Sequence, residues 1–523
     1  MNRPIQILFC IQLLAYIFVL GTFSSSERIF LSLYNSDFLF WETIYQDPSQ
    51  SWMFPPSNYW FPEGILFWSL RNFGLSYANS FYLLNFVSYL FLFWSLLLNF
   101  PKPNGKYSKT ALFSLVSIFT FLNVFSLTQL TYFSFYLDFN HRSLITLSCI
   151  YFYVLQRFNF RFGTYLSFFF SSADPFFFFA GAIPTFCFYF QKNWKKSLFP
   201  VFASILGIAA VPIVLKKFGF STAFGFLSLD FLTKFQFTIL FENLEQYFVI
   251  LYSHLKNFKL GILYLLVLFL IFPKQKRIVY RNQLFLYSSF AILALSFFLF
   301  CKFSYLPSRY LILPLLFPIL YFLTREDLPK LKLNLVSLMI FTTSILFFFQ
   351  TLKHDSITFD SQLFPGITNK SFPKMQANFP TKANENNQNS LQVVDQQKYT
   401  LRIPSEVSNP LQFCLKDLGL ENKKIFTDYW LARPLYLLES FRDQVEVLPE
   451  KSFSKDWLWF SEKKSPMDLQ KQPRAISEIP NAKNAFYLLL EGKEYESLSR
   501  KDLVKLNSIP CQNLQLEIYR SKK

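Results

Sequence analysis

Long runs of apolar residues constrain this sequence more than any other feature. Ile5–Phe23, Ala78–Phe100 and Leu260–Pro273 are long enough, or nearly so, to cross the roughly 30 Å of a bilayer's hydrocarbon core as a helix that rises about 1.5 Å per residue. Similar runs recur as far as about Gln350, and polar residues dominate beyond it. The sequence therefore predicts an all-α polytopic transmembrane bundle of about eleven spans with a small C-terminal α/β domain.

The placement of charge predicts how these runs thread the membrane. The net charge of +18 lies mainly in short segments between apolar runs, where the positive-inside rule puts cytoplasmic loops. With Arg3 inside, the pattern predicts a multi-pass protein of the cell (inner) membrane with a cytoplasmic N-terminus and an extracytoplasmic C-terminal domain. The same placement argues against nucleic-acid binding. The first run is predicted to be a retained span, and a cleaved signal peptide is the alternative.

Composition divides the chain into three segments. Residues 1–350 form the predicted transmembrane domain, in which residues 24–77 are a long first outer loop. Residues 351–408 have the Asn-, Gln- and Pro-rich composition of a linker that cannot bury a core. Residues 409–523 form the predicted soluble domain.

The soluble domain has alternating patterns that are typical of strands. Cys414 and Cys511 both fall in it, and they pair if their compartment is oxidising. The predicted strands are Lys424–Trp430, Val445–Pro449, Asn484–Leu490 and Leu514–Tyr519.

Two bends are predicted from proline and charge. In the first outer loop, aromatic residues favour two interfacial helices interrupted at Pro55-Pro56, and a simple aromatic belt is the alternative. Further on, lysines after the sixth apolar run require the chain to reverse near Asp174, which precedes a proline.

Four carboxylates are candidates for chemistry, because ionisable groups beside apolar spans are costly to retain. Asp37, with Glu42 nearby, lies among aromatic residues where a carboxylate can act as a general base; capping of a helix is the alternative for Asp37. Asp138 opens the fourth span, and capping is again the alternative. Asp174 lies in an apolar stretch and needs a partner or a water-filled cavity, so it is either functional or a polar plug in a helix turn. The predicted catalytic residues are Asp37, Glu42 and Asp138.

Basic groups on the same predicted face suit a phosphate. The guanidinium of Arg142 or Arg309 offers a fork that fits phosphate oxygens, and anchoring at lipid headgroups is the alternative. Substrate or phosphate binding is predicted for His141, Arg142, Asp174, Lys302, Arg309 and Tyr310.

The sequence gives less specific indications of a metal site and of functional residues in the tail. Asp37 and Asp138 could hold a divalent cation such as Mg²⁺ or Mn²⁺, and no other metal site is predicted. In the tail, Asp428, Trp430 and Arg433 are predicted to dock on the cavity of the membrane domain or to contact substrate, and a salt bridge within the tail domain is the alternative. The chain has 13 Gly and no Gly-rich phosphate loop, which excludes the usual nucleotide-binding motifs.

The arrangement of acidic residues and spans resembles the GT-C type of membrane glycosyltransferases. Asp37, with Glu42 nearby, matches the first acidic position of that superfamily, Asp138 matches the second, and Arg309-Tyr310 looks like the basic element presented to a lipid phosphate. The family's tandem acidic pair and Asp-x-Asp are absent, so the resemblance implies no particular metal or acceptor. Elements similar to those of an uncharacterised bacterial branch stand at Ala173-Asp174-Pro175 and Asp428-Tyr429-Trp430-Leu431-Ala432-Arg433-Pro434-Leu435.

This resemblance implies transfer of a sugar from a polyprenyl-phosphate donor to an acceptor glycan, lipid or protein at the outer face of the membrane. Lys302 and Arg309 would hold the donor phosphate while Asp37 deprotonates the acceptor. The alternatives are a transporter or flippase for lipid-linked glycans and a non-enzymatic envelope assembly protein.

Overall fold

A computed structural model of the 523-residue chain shows a helical body and a small C-terminal sheet. The structure describes the longer segments 39–46, 59–102, 107–128, 139–158, 160–218, 283–303, 312–325, 328–353, 423–427, 429–441, 445–447, 485–490, 503–511 and 514–521, and the short pieces 6–7, 10–14, 53–54, 221–222, 244, 247–248, 411, 414–415 and 418–421.

The described helices account for most of the body. They are α1 Phe40–Gln46, α2 Ile65–Asn72, α3 Tyr77–Leu98, α4 Lys109–Thr128, α5 Phe139–Arg157, α6 Phe160–Ala173, α7 Ile183–Lys217, α8 Gln283–Phe303, α9 Ile312–Leu323, α10 Lys330–Lys353 and α11 Tyr429–Tyr436. Short helical turns lie at Trp60–Gly64, Phe178–Ala182 and Glu439–Phe441.

The predicted bundle of about eleven spans is wrong. In the described part of the chain, two helices are long and apolar enough to cross a membrane, Tyr77–Leu98 with 22 residues and Asn193–Lys217 with 25. Other apolar runs form shorter helices: α6 has 14 residues and α9 has 12. Helices of these lengths extend only about 21 and 18 Å, less than the roughly 30 Å of hydrocarbon. The runs at Ile5–Phe23 and Leu260–Pro273 lie largely outside the described residues.

The physical reason is that hydropathy measures the length of an apolar run and not of the helix that it forms. The predicted reversal near Asp174 illustrates this, because α6 ends immediately before that residue. The chain then returns, and the rings of Phe160 and Tyr189 lie 5.1 Å apart at the far end of the hairpin. A second bend follows inside α7, where Asn193 leaves the helical conformation with φ −161° and ψ 86°.

Small hydroxyl side chains join the helices of the body. Ser114 Oγ of α4 and Ser337 Oγ of α10 are 2.8 Å apart, and the Ser167 hydroxyl of α6 donates to the Tyr151 hydroxyl of α5 at 2.9 Å. Small residues such as serine let helix backbones approach closely, and their hydroxyl groups form hydrogen bonds between the helices. The contacts hold α4 on α10 and α6 on α5.

Among the described residues of segment 24–77, predicted as the first outer loop, helical structure lies on both sides of Pro55-Pro56. Helix α1 precedes the prolines, and the turn Trp60–Gly64 followed by α2 comes after them. Between them, β1 (Met53–Phe54) pairs in parallel with β2 (Ser221–Thr222).

The C-terminal sheet has the strand order β4-β3-β5-β7-β6. The strand β3 is parallel to β4 and β5, whereas β5, β7 and β6 are antiparallel neighbours. The first three predicted regions each contain one strand, β7 starts with the fourth region and runs two residues beyond it, and β6 was not predicted. The strands are β3 Ile425–Thr427, β4 Val445–Val447, β5 Phe486–Leu490, β6 Leu503–Cys511 and β7 Leu514–Ser521.

A disulfide cross-links the tail, and one helix of the tail contacts the helical body. Cys414 and Cys511 form a disulfide between positions 97 residues apart, which decides the alternative left open by the sequence. The helix α11, which lies between β3 and β4, contacts α1 of the first outer loop. The predicted linker at 351–408 lies almost wholly outside the described residues.

We expect C414S to destabilise the tail by about 2–4 kcal/mol, because the cross-link restricts a long loop in the unfolded chain. Limited proteolysis of the full-length chain should show faster cleavage of the tail in C414S, and in the wild type after reduction. C187S removes a thiol that is free in the structure and should leave the cleavage rate unchanged. Equal rates for C414S and the wild type would show that the disulfide does not hold the tail.

Candidate functional site

Three ionisable side chains from separate elements meet inside the body. Glu63 comes from the turn Trp60–Gly64, Arg142 from the first turn of α5, and Asp174 from the residue after α6. Their exposed fractions are 1%, 0% and 2%, respectively. Since a buried charge is costly unless it is compensated, a cluster of this kind requires a specific arrangement around it.

The turn that carries Glu63 is fixed on the end of α6. Tyr59, which precedes the turn, adopts a left-handed conformation with φ 48°, and its backbone N–H donates to the carbonyl of Ala173 at 2.9 Å. The indole N–H of Trp60 donates to Ser172 Oγ at 3.2 Å. A left-handed conformation is unfavourable for a residue with a Cβ, so these hydrogen bonds offset a local cost. They place Glu63 beside Asp174.

Arg142 is held from the opposite side by α3. Its Nη2 donates to the side-chain oxygen of Asn85 at 2.5 Å and to the backbone carbonyl of the same residue at 3.1 Å. The neighbouring Ser143 is hydrogen-bonded to Glu63. The start of α5 therefore presents both a positive charge and a hydroxyl group to the turn.

The surroundings of Glu63 favour its neutral form. Burial raises the pKa of Glu63 from 4.5 to about 8, and the negative charge of Asp174 acts in the same direction. The Ser143 hydrogen bond and the charge of Arg142 lower the pKa but do not compensate for desolvation. One carboxyl oxygen, Oε2, makes no hydrogen bond to the described residues. Glu63 is therefore protonated in most molecules at neutral pH.

Asp174 combines the two roles that the sequence left open. Its Oδ1 accepts a hydrogen bond from the backbone N–H of Phe176 at 3.0 Å, which stabilises the turn after α6. Its charge also acts on Glu63. Asp174 thus both stabilises the helix turn and takes part in the cluster.

Glu42 has a different environment from the cluster. It is 2% exposed and forms a two-pronged ion pair with Arg71 of α2, with Oε2–Nε and Oε1–Nη2 distances of 2.9 Å each. Gln46 donates to the same Oε1 at 2.9 Å. Burial raises the pKa of Glu42, whereas Gln46 and Arg71 lower it. The pair joins α1 to α2, and the predicted catalytic role of Glu42 stays a prediction.

The structure thus brings Arg142 and Asp174 together and places Glu42 in a separate ion pair. Backbone positions are described for four further predicted residues, His141 at the start of α5, Lys302 near the end of α8, and Trp430 and Arg433 in α11, but their side chains are outside the described part. The remaining predicted residues, Asp37, Asp138, Arg309, Tyr310 and Asp428, lie outside the described residues altogether.

A divalent cation has no ligand group among the residues that the structure describes. No set of three or more His, Cys, Asp or Glu side chains is close enough there to hold a metal ion. The two carboxylates predicted for such a role, Asp37 and Asp138, are not among those residues. Cation binding stays a sequence-based prediction.

Sequence reasoning missed Glu63, the central residue of the cluster. The signal was present, because Glu63 is the acidic residue in Trp60-Phe61-Pro62-Glu63-Gly64 between aromatic stretches. The criterion that selected Asp174, an ionisable group surrounded by apolar residues, applies to it equally.

Comparisons with protein-family models, with curated proteins and with solved structures find no match for this chain. The resemblance to GT-C enzymes therefore stays an expectation from the sequence.

We expect the stability of the wild type to fall as the pH rises from about 5 to 8, by at most about 1.4 kcal/mol per pH unit. Between pH 4.5 and about 8 the folded Glu63 holds a proton that the unfolded chain has released, so each rise in pH favours unfolding. E63Q mimics the protonated form and should lose this dependence. Thermal unfolding in detergent at several pH values measures it, and identical profiles for E63Q and the wild type would contradict the assignment.

We expect R71M to destabilise the chain by about 3 kcal/mol, because it leaves the buried Glu42 carboxylate without its partner. The double variant E42M/R71M removes both charges and should recover much of the loss. Denaturant unfolding of the two variants and E42M completes the cycle. Additive effects of the single changes would show that the pair contributes no coupling.

Proposed function

We propose that this chain is a membrane-embedded glycosyltransferase that moves a sugar from a polyprenyl-phosphate-linked donor to an acceptor. The observation that carries the proposal is the buried cluster of Glu63, Asp174 and Arg142, because ionisable groups with strongly shifted pKa values concentrate at functional sites. The donor class comes from the sequence resemblance and from the absence of nucleotide-binding motifs in the sequence.

The membrane location is supported by the outer surface of α7. Phe199, Leu206 and Ile213 are 58%, 62% and 64% exposed on this helix. An apolar surface of this length is unfavourable in water and favourable in a bilayer. Contact with lipid explains why only 28% of the apolar helical segment Asn193–Lys217 is buried inside the protein.

The orientation is supported by the two ends of the α6–α7 hairpin. Lys195 and Lys196 are exposed just after the bend at Asn193. This bend lies at the far end of α6 from Asp174, roughly 20 Å away for a helix of 14 residues. By the positive-inside rule, the lysine end is cytoplasmic and the cluster faces the other side. The Cys414–Cys511 disulfide fits a tail in an oxidising compartment.

The chemistry assigned to Glu63 is general-base catalysis. Its ionised form accepts the proton of the acceptor hydroxyl, whose oxygen then forms a bond to the anomeric carbon of the sugar. The bond between that carbon and the phosphate oxygen breaks, and the electron pair leaves with polyprenyl phosphate. A carboxylate with a pKa of about 8 is a stronger base than an ordinary one, and about a tenth of it is ionised at pH 7. Lys302 and Arg309 hold the phosphate in this proposal.

Access to Glu63 requires a local movement. The side chain is 1% exposed, and the turn that carries it is held on α6 by the hydrogen bonds of Tyr59 and Trp60. Acceptor binding must displace this turn, so the ordering of the turn is part of the proposed reaction cycle.

A second candidate function is transport of a lipid-linked glycan coupled to protons. It is favoured by one observation, that a buried carboxyl group with a pKa of about 8 exchanges its proton in the physiological range. Release of polyprenyl phosphate from the donor by the purified protein in detergent supports transfer. Movement of an intact lipid-linked sugar across proteoliposomes, without its cleavage, supports transport.

We expect E63Q to reduce transfer by about 10²-fold or more, because general-base catalysis contributes about 10²–10⁴-fold. Donor turnover should also rise with pH up to about 8 in the wild type, as Glu63 ionises. The assay measures polyprenyl phosphate released from a panel of polyprenyl-phosphate sugars, and the lipid profile of cells lacking the gene identifies the sugar.

The control is E421Q, which changes an exposed carboxylate in the tail and should leave the rate unchanged. D37N, tested in the same assay, examines the base assigned from the sequence. Full activity of E63Q would refute the catalytic role of Glu63.

A further inference from the structure

A groove of about 440 Å³ runs along the surface between α4 and α10. Its lining combines the polar side chains of Lys109, Thr110 and Asn334 with the apolar side chains of Phe113, Leu331, Leu335 and Leu338. This combination of a cation with an apolar lining is outside the cluster described above.

The first turns of both helices line the groove. Lys109 and Thr110 begin α4, and Leu331 and Asn334 lie in the first turns of α10. The first residues of both helices, Lys109 and Lys330, therefore lie at the same end of the pair. The segments that lead into them, 101–109 and 325–332, contain six basic and two acidic residues.

The apolar part of the groove faces outward. Leu331, Leu335 and Leu338 are 81%, 57% and 47% exposed. Leucines in such a row are unfavourable in water, and a hydrocarbon chain laid along the groove would cover them. A second protein helix would cover them as well, but it would leave the lysines beside the groove without a complementary charge.

We infer that this groove binds a bilayer phospholipid with an anionic headgroup. The headgroup phosphate lies at Lys109 and Lys330, and one acyl chain follows Phe113, Leu335 and Leu338. Basic pockets between helices at a membrane surface bind anionic lipids in this way, and each lysine near the surface contributes to the attraction.

The same geometry argues that the occupant is not the sugar donor. Asn85, which holds Arg142, lies in the first half of α3, whereas Lys109 follows the end of that helix at Leu98. The distance from Asn85 to Leu98 along the helix is roughly 20 Å. A donor phosphate beside Lys109 would therefore be remote from the proposed base.

The test is binding of phosphatidylglycerol to the full-length protein in detergent, measured by native mass spectrometry. We expect K109Q/K330Q to bind this lipid about 25-fold more weakly than the wild type at low salt, since each lysine contributes roughly fivefold. The matched control K195Q/K196Q removes two other exposed lysines of the same helical body and should keep wild-type affinity.

The comparison ligands separate the possible occupants. Phosphatidylcholine should bind at least 10-fold more weakly than phosphatidylglycerol, and inorganic phosphate should not compete at equal concentration. Equal affinity for the two phospholipids, unchanged binding by K109Q/K330Q, or displacement by polyprenyl phosphate at lower concentrations than by phosphatidylglycerol would each overturn the inference. Loss of donor turnover in E63Q with normal lipid binding separates this site from the proposed catalytic one.

Discussion

The arrangement of the body depends on how it compensates the buried charge of Arg142. A guanidinium cannot be neutralised at physiological pH, so its burial must be balanced by acceptors and negative charge. Asn85 supplies two oxygens from α3, and the carboxyl groups of Glu63, from segment 24–77, and Asp174, from the end of α6, lie in the same cluster. Three segments that are distant in sequence are thereby required to meet at one point. The ion pair between Glu42 and Arg71 likewise requires two elements to meet, because it joins α1 to α2 within segment 24–77.

Local patterns in the sequence predicted those parts of the fold that depend on interactions between residues close together in the chain. The tail strands followed from alternation and β-branched or aromatic residues, and the reversal at Asp174 followed from a proline and from the lysines beyond it. The span count failed, because an apolar run does not record where its helix ends. Helix α6 ends at Ala173 although apolar residues continue past Asp174, and α7 bends at Asn193 within what would otherwise be one helix of 35 residues. The strand β6 was missed because its burial does not alternate: Val504 and Leu506 are apolar but exposed, and the register shifts between Lys505 and Asn507.

The candidate site was predictable only in part. Arg142 and Asp174 were selected because ionisable groups in apolar surroundings are costly, and this reasoning needs no knowledge of the fold. That Glu63 lies between them could not be deduced, because its position depends on the hydrogen bonds of Tyr59 and Trp60 to the last residues of α6, more than 110 positions away in the chain. The sequence shows which groups cost free energy when they are buried, whereas tertiary packing determines which partners they meet.

The contact between Trp41 and Gly64 links the tail to this site. A Cβ on Gly64 would lie 2.6 Å from the Trp41 ring, so the indole rests directly against the main chain next to Glu63. Trp41 belongs to α1, and α1 is also the element that α11 contacts. A rigid side chain without free space behind it transmits displacement instead of absorbing it. The short helix α1 is therefore the structural connection between the C-terminal domain and the main chain beside the buried carboxyl of Glu63.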